Sequence, residues 1–305
     1  MASSAIADAR KAAELHIPLT QRLAARGLDA VTALCLPAVF CVIALFIYPF
    51  FYGFVLSFEP KSGTLLANYN RFFSDSFFHG TIATTLWLAV PVTIINLVVA
   101  VPVALQVRHM RWQRLLTTIL VLPITLGTVL VAEGLLNYLG PQGWFNRVLL
   151  TAGLISEPVK LVHNYWGVML SLVITGFPFT FLLILSYVTG IDPVLEQAAA
   201  TLGASARRRF WNVLLPLLMP GLAITFCLSF VQAFSVFPSA VLLGAPAGPT
   251  RVISIAAYQA AFEEYDYSMA SAVAMIMGLV QLAIVVAVIG MRGLFYRGPA
   301  AGAKG

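Results

Sequence analysis

Charge is what this chain has least of. Of 305 residues only 10% are Asp, Glu, Lys or Arg, against about 25% in soluble domains. With 60% apolar residues and a mean hydropathy of +0.91, a soluble globule is excluded. Disorder is excluded as well, since it requires low hydrophobicity. Cysteine is scarce: Cys35, Cys41 and Cys227 are three in number, lie inside apolar runs and lack metal-ligand spacing, so they read as small buried hydrophobes. None of the four lysines (Lys11, Lys61, Lys160, Lys304) sits in a G-x-x-x-x-G-K phosphate loop. The four histidines (His16, His79, His109, His163) fall outside the apolar runs. No H-E-x-x-H, G-x-S-x-G or intramembrane Asp pair is present, so the chain does not read as an enzyme. The alternation of a membrane β-barrel is missing too.

What is present is a series of long apolar runs, each near the 20 residues that a helix needs to cross a bilayer. They lie at about 30–57, 81–106, 115–138, 165–189, 217–243 and 268–291. The expected architecture is an all-α polytopic membrane protein with six transmembrane helices. Residues 1–29 form a cytoplasmic tail or surface helix, 30–291 the membrane domain, and 292–305 a C-terminal tail. The first run is too long for a signal-peptide core and starts too late. The stretch from Ala5 to Ala25 is mildly amphipathic and basic; it reads equally as a helix on the inner leaflet or as a polar tail.

The net charge of +6 does not indicate nucleic acid, because the basic residues are dispersed between spans. They do set orientation. With the N-terminus inside, the inner segments hold Arg10, Lys11, Arg22, Arg26, Arg108, Arg111, Arg114, Arg207, Arg208, Arg209, Arg292, Arg297 and Lys304. The outer ones hold Lys61, Arg71, Arg147, Lys160 and Arg251. Both termini are therefore expected inside. The outer stretches Asn68–Phe78 and Trp144–Leu154 are amphipathic and read as short interfacial helices. Pro91, Pro102, Pro123 and Pro178 are expected to interrupt spans.

The most informative segment is Ile191–Gly221, IDPVLEQAAATLGASARRRFWNVLLPLLMPG. Asp192 and Pro193 suit a helix N-terminus, Gly203 the left-handed residue that ends it, and Ser205 the cap of the next helix. Pro216 and Pro220 are expected to break the chain before the fifth span. A short, Ala-rich helix on the inner side lets another protein's backbone approach closely; the plainer reading is an interfacial turn.

This segment resembles the cytoplasmic E-A-A loop of ATP-binding-cassette (ABC) importer permeases. Ala198 and Ala199 take the two Ala positions, Gly203 the Gly, Val213 the Ile, and Leu215-Pro216 the closing pair. The family Glu position is Gln197, with Glu196 just before it. The six-span pattern resembles type I importer permeases from about residue 30 to 291. The text Leu202-Gly203-Ala204-Ser205 and Val213-Leu214-Leu215-Pro216 is similar to the spermidine/putrescine, sulfate, thiamine and iron(III) branch. Gly140–Leu149, Gly176-Phe177-Pro178-Phe179 and the stretch from Phe237-Pro238 to Leu243-Gly244 resemble the polyamine-type members.

The resemblance implies a type I ABC importer permease fold and half of an alternating-access pathway in a bacterial inner membrane. The coupling loop would span 191–216, with Glu196, Gln197, Ala198, Ala199, Leu202, Gly203, Ala204, Leu215 and Pro216 facing the ATPase. ATP would bind on that separate subunit dimer, and the chain itself would hold no cofactor or metal. The other implied partners are a second permease, a different chain rather than a second copy, a periplasmic binding protein and membrane lipid. A polyamine is the expected solute; sulfate, thiamine, iron(III) and aminophosphonate are the alternatives within this class.

Candidate pathway residues are Glu133, Ser229, Gln232 and Ser235, with Tyr258 and Gln259, because ionisable and polar groups inside spans mark function or join helices. Glu133, the lone acid within a span, would suit a cation, and its other reading is a solvated group near the outer interface. Phe234 and Phe237 wall the path or pack. A secondary transporter is the rival reading, but no internal repeat supports it.

Overall fold

The computed structural model describes residues 30–295, so the N-terminal segment from Ala5 to Ala25 lies outside the described residues. Among those residues there are helices and no strands. Six are long and apolar enough to cross a membrane. The chain forms two units, one up to Leu56 and one from Ser57 onward. The first contains α1 (Ala30–Val42), a π-helical turn (Ile43–Ile47) and α2 (Tyr48–Leu56), which together carry the first span.

The second unit begins with α3 (Ala67–Ser74), α4 (Ser76–Val107), α5 (Gln113–Leu139), α6 (Trp144–Thr151) and α7 (Tyr165–Thr189). It continues with α8 (Pro193–Thr201), α9 (Ala206–Arg209), a π-helical turn (Phe210–Leu214) and α10 (Leu215–Phe234). After α11 (Pro238–Leu242) and α12 (Ile253–Tyr258), a third π-helical turn (Gln259–Glu263) leads to α13 (Tyr267–Phe295). The last helix thus runs past residue 291.

α7 is the centre of the packing, touching α4, α5 and α10; α13 packs on α10 and α12. Two core clusters follow each other along α4. Leu88 and Val92 join Phe230, Phe234, Ile253 and Met269 in the first. Ala100 and Ala104 join Phe181, Ile184 and Leu218 in the second. Other large side chains, such as Trp87, Val98, Leu279 and Val286, point outward and are more than half exposed. Apolar groups on the outside as well as the inside are what a lipid-facing helix presents. Lipid removes the hydrophobic drive between helices, so close packing and hydrogen bonds hold them. Side-chain bonds fill that role here, among them Ser171–Ser239 at 2.8 Å and Thr180–Ser229 at 2.9 Å.

Several local expectations are corrected. α4 runs unbroken through Pro91 and Pro102, and α7 through Pro178. Only α5 leaves helical geometry, at Gly127 (φ 76°, ψ 158°), four residues after Pro123. The proline ring cannot donate to the preceding turn, and a glycine downstream supplies the bend that other residues resist. Pro216 and Pro220 do not break the chain either: the fifth span is continuous from Ala206 to Phe234. The wider turn at Phe210–Leu214 precedes Pro216 and gives its ring room. That span ends at Phe234, not 243, because Ser235–Phe237 leave the helix before α11.

The two amphipathic outer stretches are short helices, but each is anchored to protein by a buried asparagine. Asn68 in α3 donates to the Ser57 carbonyl (3.1 Å) and the Ser268 hydroxyl (3.2 Å). Asn146 in α6 donates to the Gly140 and Val159 carbonyls (3.0 and 3.1 Å) and accepts from the Val159 N–H at 2.8 Å. Asp75 ends α3 and caps α4, accepting from Phe77 N at 2.8 Å, so the first stretch is divided there.

Candidate functional site

The segment after α7 forms two short helices around a glycine turn. Asp192 Oδ1 accepts from Val194 N at 2.9 Å, and Pro193 follows as first helical residue of α8. Gly203 has φ +80° with open space beside it, so the turn needs a residue that tolerates that backbone. Ser205 caps α9 through Arg208 N at 3.4 Å. No residue of α8 is buried. Val194, Leu195 and Leu202 are 60%, 48% and 88% exposed, and Gln197 and Ala198 are exposed beside them, Ala199 half so. The result is an apolar, small-residue surface that no other described residue covers.

Glu196 points elsewhere. Its carboxylate pairs with the Arg108 guanidinium, the residue capping the C-terminal end of α4. Leu215 and Pro216 lie beyond α9 at the start of α10, and Ala204 is half-buried in the turn.

Beside the first core cluster, against Val92, Leu172, Ala233 and Val236, lies a cavity of about 290 Å³, near the lower limit for small-ligand pockets. α10 and the residues after it supply Ser229, Gln232, Ser235 and Phe237. Asn96 of α4, Thr128 of α5 and Thr175 and Gly176 of α7 complete the polar wall. A Cβ on Gly176 would stand 2.8 Å from Asn96 Nδ2, so the glycine lets that amide fit between α4 and α7. Asn96 Oδ1 is buried and finds no hydrogen-bond partner among the described residues. Among the described residues no ionisable side chain lines the cavity.

Ser229, Gln232 and Ser235 are therefore brought together. Ser229 also bonds Thr180, and Ser235 accepts from Gln281 Nε2 at 2.9 Å. Phe237 lines the wall, whereas Phe234 is fully buried in the core. Glu133 does not join the cavity. It is exposed on α5, about 140° round the helix from Thr128, and Asn137 Nδ2 donates to its carbonyl at 3.0 Å. Tyr258 and Gln259 lie outside the spans. Tyr258 packs between Phe237 and Phe262. Gln259 Oε1 accepts from Arg251 Nε and Nη2 at 3.0 and 2.6 Å. Arg251 is 5% exposed and its guanidinium lies 3.5 Å over the Phe77 ring. Burial lowers its pKa from the ordinary arginine value, opposed by the charges of Glu264, Asp75 and Glu263. Among the described residues no group of three or more His, Cys, Asp or Glu comes together.

The sequence reading missed Asn96, Thr128, Thr175 and the role of Arg108. Asn96 was open to the same argument as Gln232, being a polar side chain inside a span. Thr128 was not, because its position depends on the bend at Gly127.

Comparison with known proteins places these features in context. The profile of a family described as "Binding-protein-dependent transport system inner membrane component" matches residues 62–298. A spermidine/putrescine transport system permease protein of Haemophilus influenzae is 30% identical over 200 residues, covering 64% of this chain and 65% of that protein. A probable sulfate transport system permease protein of Prototheca wickerhamii is 29% identical over 165 residues, covering 54% and 62%. The matches thus span less than two thirds of these relatives. Among solved structures, a bacterial alginate ABC transporter in complex with alginate pentasaccharide-bound periplasmic protein has a chain of like fold. The TM-score is 0.75 at 22% identity, covering 90% of this chain and 97% of that one. The MetNI methionine ABC transporter is more distant, with a TM-score of 0.56 at 16% identity over 71% of this chain and 95% of that one.

Proposed function

The chain belongs to the family of binding-protein-dependent transport system inner membrane components, and from that premise we propose that it is the permease subunit of an ABC importer in a bacterial inner membrane. It forms one half of an alternating-access pathway and performs no covalent chemistry. A separate ATPase subunit dimer binds and hydrolyses ATP, a second permease chain completes the pore, and a periplasmic binding protein delivers solute to the outer loops. Lipid surrounds the spans.

The observation that carries this reading is α8. It is capped at both ends, buries none of its residues and presents Val194, Leu195, Ala198 and Leu202 outward. An ordered helix with an uncovered apolar face supports docking on another protein. In this reading Gln197, Ala198, Ala199, Leu202 and Gly203 meet the ATPase, with Ala204, Leu215 and Pro216 shaping the approach. ATP-driven closure of that dimer biases α8 between two positions.

The cavity is this chain's share of the solute path. Its size and its hydroxyl and amide lining suit a small polar solute. The similarity to a spermidine/putrescine permease supports a polyamine, with Glu133 serving the path from outside the cavity. A second reading, sulfate, is favoured by the absence of any carboxylate among the lining residues and by the similarity to a sulfate permease.

The test is ATP hydrolysis by the assembled importer in nanodiscs, with its binding protein. The screen covers spermidine, putrescine, sulfate, thiamine, iron(III) and aminophosphonates. Stimulation by a polyamine alone supports the first reading, and stimulation by sulfate alone replaces it with the second. No stimulation by any of these solutes, in a complex that binds ATP, refutes both solute readings, and failure of the chain to assemble with an ATPase subunit refutes the importer reading.

A further inference from the structure

α8 is connected to the membrane body by the chain at both of its ends and by an ion pair. Residues 190–192 lead back to α7, and on the other side α8 packs on α9 and the Phe210–Leu214 turn, which continue into α10. The third connection is ionic. Arg108 Nη2 donates to Glu196 Oε2, joining α8 to the end of α4 across 88 residues of sequence. The Arg108 side chain is only 8% exposed and Glu196 25%. Arg108 Nε donates to His109 Nε2 at 2.8 Å, which fixes the plane of the guanidinium. An exposed pair in this position would hold little. A guanidinium this far withdrawn from water is costly to leave unpaired, so the two groups tend to move together.

The forward chain route and the ionic route lead to different walls of one cavity. α10 supplies Ser229 and Gln232, and α4 supplies Val92 and Asn96. Asn96 lies about 18 Å along the helix from Arg108, and α4 is continuous between them. With the ionic route intact, a displaced α8 pulls on α4 directly. With that route cut, α4 follows only through its packing against α7 and α10.

We propose that Glu196 is a positioning residue whose ion pair with Arg108 ties the coupling helix to α4, so that the α4 and α10 walls of the cavity move as one. The proposal rests on the reading of α8 as the ATPase-facing helix. It assigns Glu196 a partner within this chain and leaves the outward position to Gln197.

The test uses the assembled importer in nanodiscs with Cys35, Cys41 and Cys227 replaced by alanine and Ser229→Cys as reporter. A maleimide probes the reporter with and without Mg-ATP and vanadate, which requires no knowledge of the solute. With Arg108 and Glu196 in place, nucleotide trapping is expected to change the labelling rate about fivefold or more. Glu196→Gln and Arg108→Gln should each lose most of that response while the ATPase subunit still copurifies. The exchanged pair Arg108→Glu with Glu196→Arg should recover it, which a loss of folding would not allow. An unchanged response in both single variants overturns the tether and leaves the coupling reading standing. Failure of the exchanged pair to recover also overturns it. No response with both residues in place overturns the coupling reading, and the tether with it.

Discussion

Gly127 is the position where one added methyl group tests the shape of the fourth wall of the cavity. Its φ of 76° and ψ of 158° fall in a region that only glycine adopts freely, and holding another residue there costs about 1–3 kcal/mol. A Cβ at this position meets nothing within 4 Å, so no steric clash adds to that figure. The whole effect of Gly127→Ala is conformational. Gly134 lies on the same helix, in ordinary helical geometry and equally open space. There alanine should stabilise, by up to about 1 kcal/mol. The pair of variants thus adds the same atom to the same helix with opposite expected signs. Thermal unfolding of the purified protein in detergent micelles reads the difference. Gly127→Ala should lower Tm by roughly 1.5–5 °C, taking an unfolding entropy of about 2.1 cal/mol/K for each of 305 residues, and Gly134→Ala should not lower it. Relief of the strain by straightening α5 would also withdraw Thr128 from the cavity, so solute-stimulated ATP hydrolysis should fall with Tm. A Gly127→Ala protein as stable as the parent would refute the bend at this residue.

Other expectations concern the coupling segment, the anchors and the acid. Gly203→Pro removes access to φ +80° and a backbone donor that bonds the Ala200 carbonyl at 2.9 Å; ATP hydrolysis should continue while uptake is lost, and unchanged uptake would refute the coupling role. Asn146→Ala leaves the Val159 N–H and two carbonyls without their partner in a buried site, so unfolding in detergent should show a loss of roughly 2–3 kcal/mol. A loss below half of that would mean that α6 is held by its apolar face alone. Glu133→Gln should weaken stimulation by spermidine several-fold and leave the complex intact; undiminished stimulation would make the carboxylate structural.

The membrane class, the spans and the turn chemistry were legible because each depends on local rules. A run of about 20 apolar residues states its own environment. Asp192-Pro193, Gly203 and Ser205 act on backbone groups within a few residues of themselves, so helix, turn and helix follow from the text. Prolines were legible only in part. A ring lacks a donor wherever it stands, but neighbouring turns decide whether the helix breaks. Pro91, Pro102 and Pro178 are absorbed, Pro216 follows a widened turn, and Pro123 precedes a bend only because Gly127 permits one. The polar candidates divided in the same way. Ser229 and Gln232 reach the cavity on one face of α10, but Gln259 is taken by Arg251, which was readable only as a loop charge.

By itself the sequence determined that this chain lives in lipid, crosses it six times and carries a helix, a glycine turn and a second helix between its fourth and fifth spans. Those properties arise from composition and from neighbours close along the chain. Tertiary structure alone decided that Asn96, Thr128, Thr175 and Ser229 share one cavity, that Glu133 stands outside it, and that Glu196 belongs to Arg108. Each of these depends on helices far apart in sequence meeting in a particular rotation, and no local pattern encodes that rotation, because lipid-facing and protein-facing sides of a span are equally apolar.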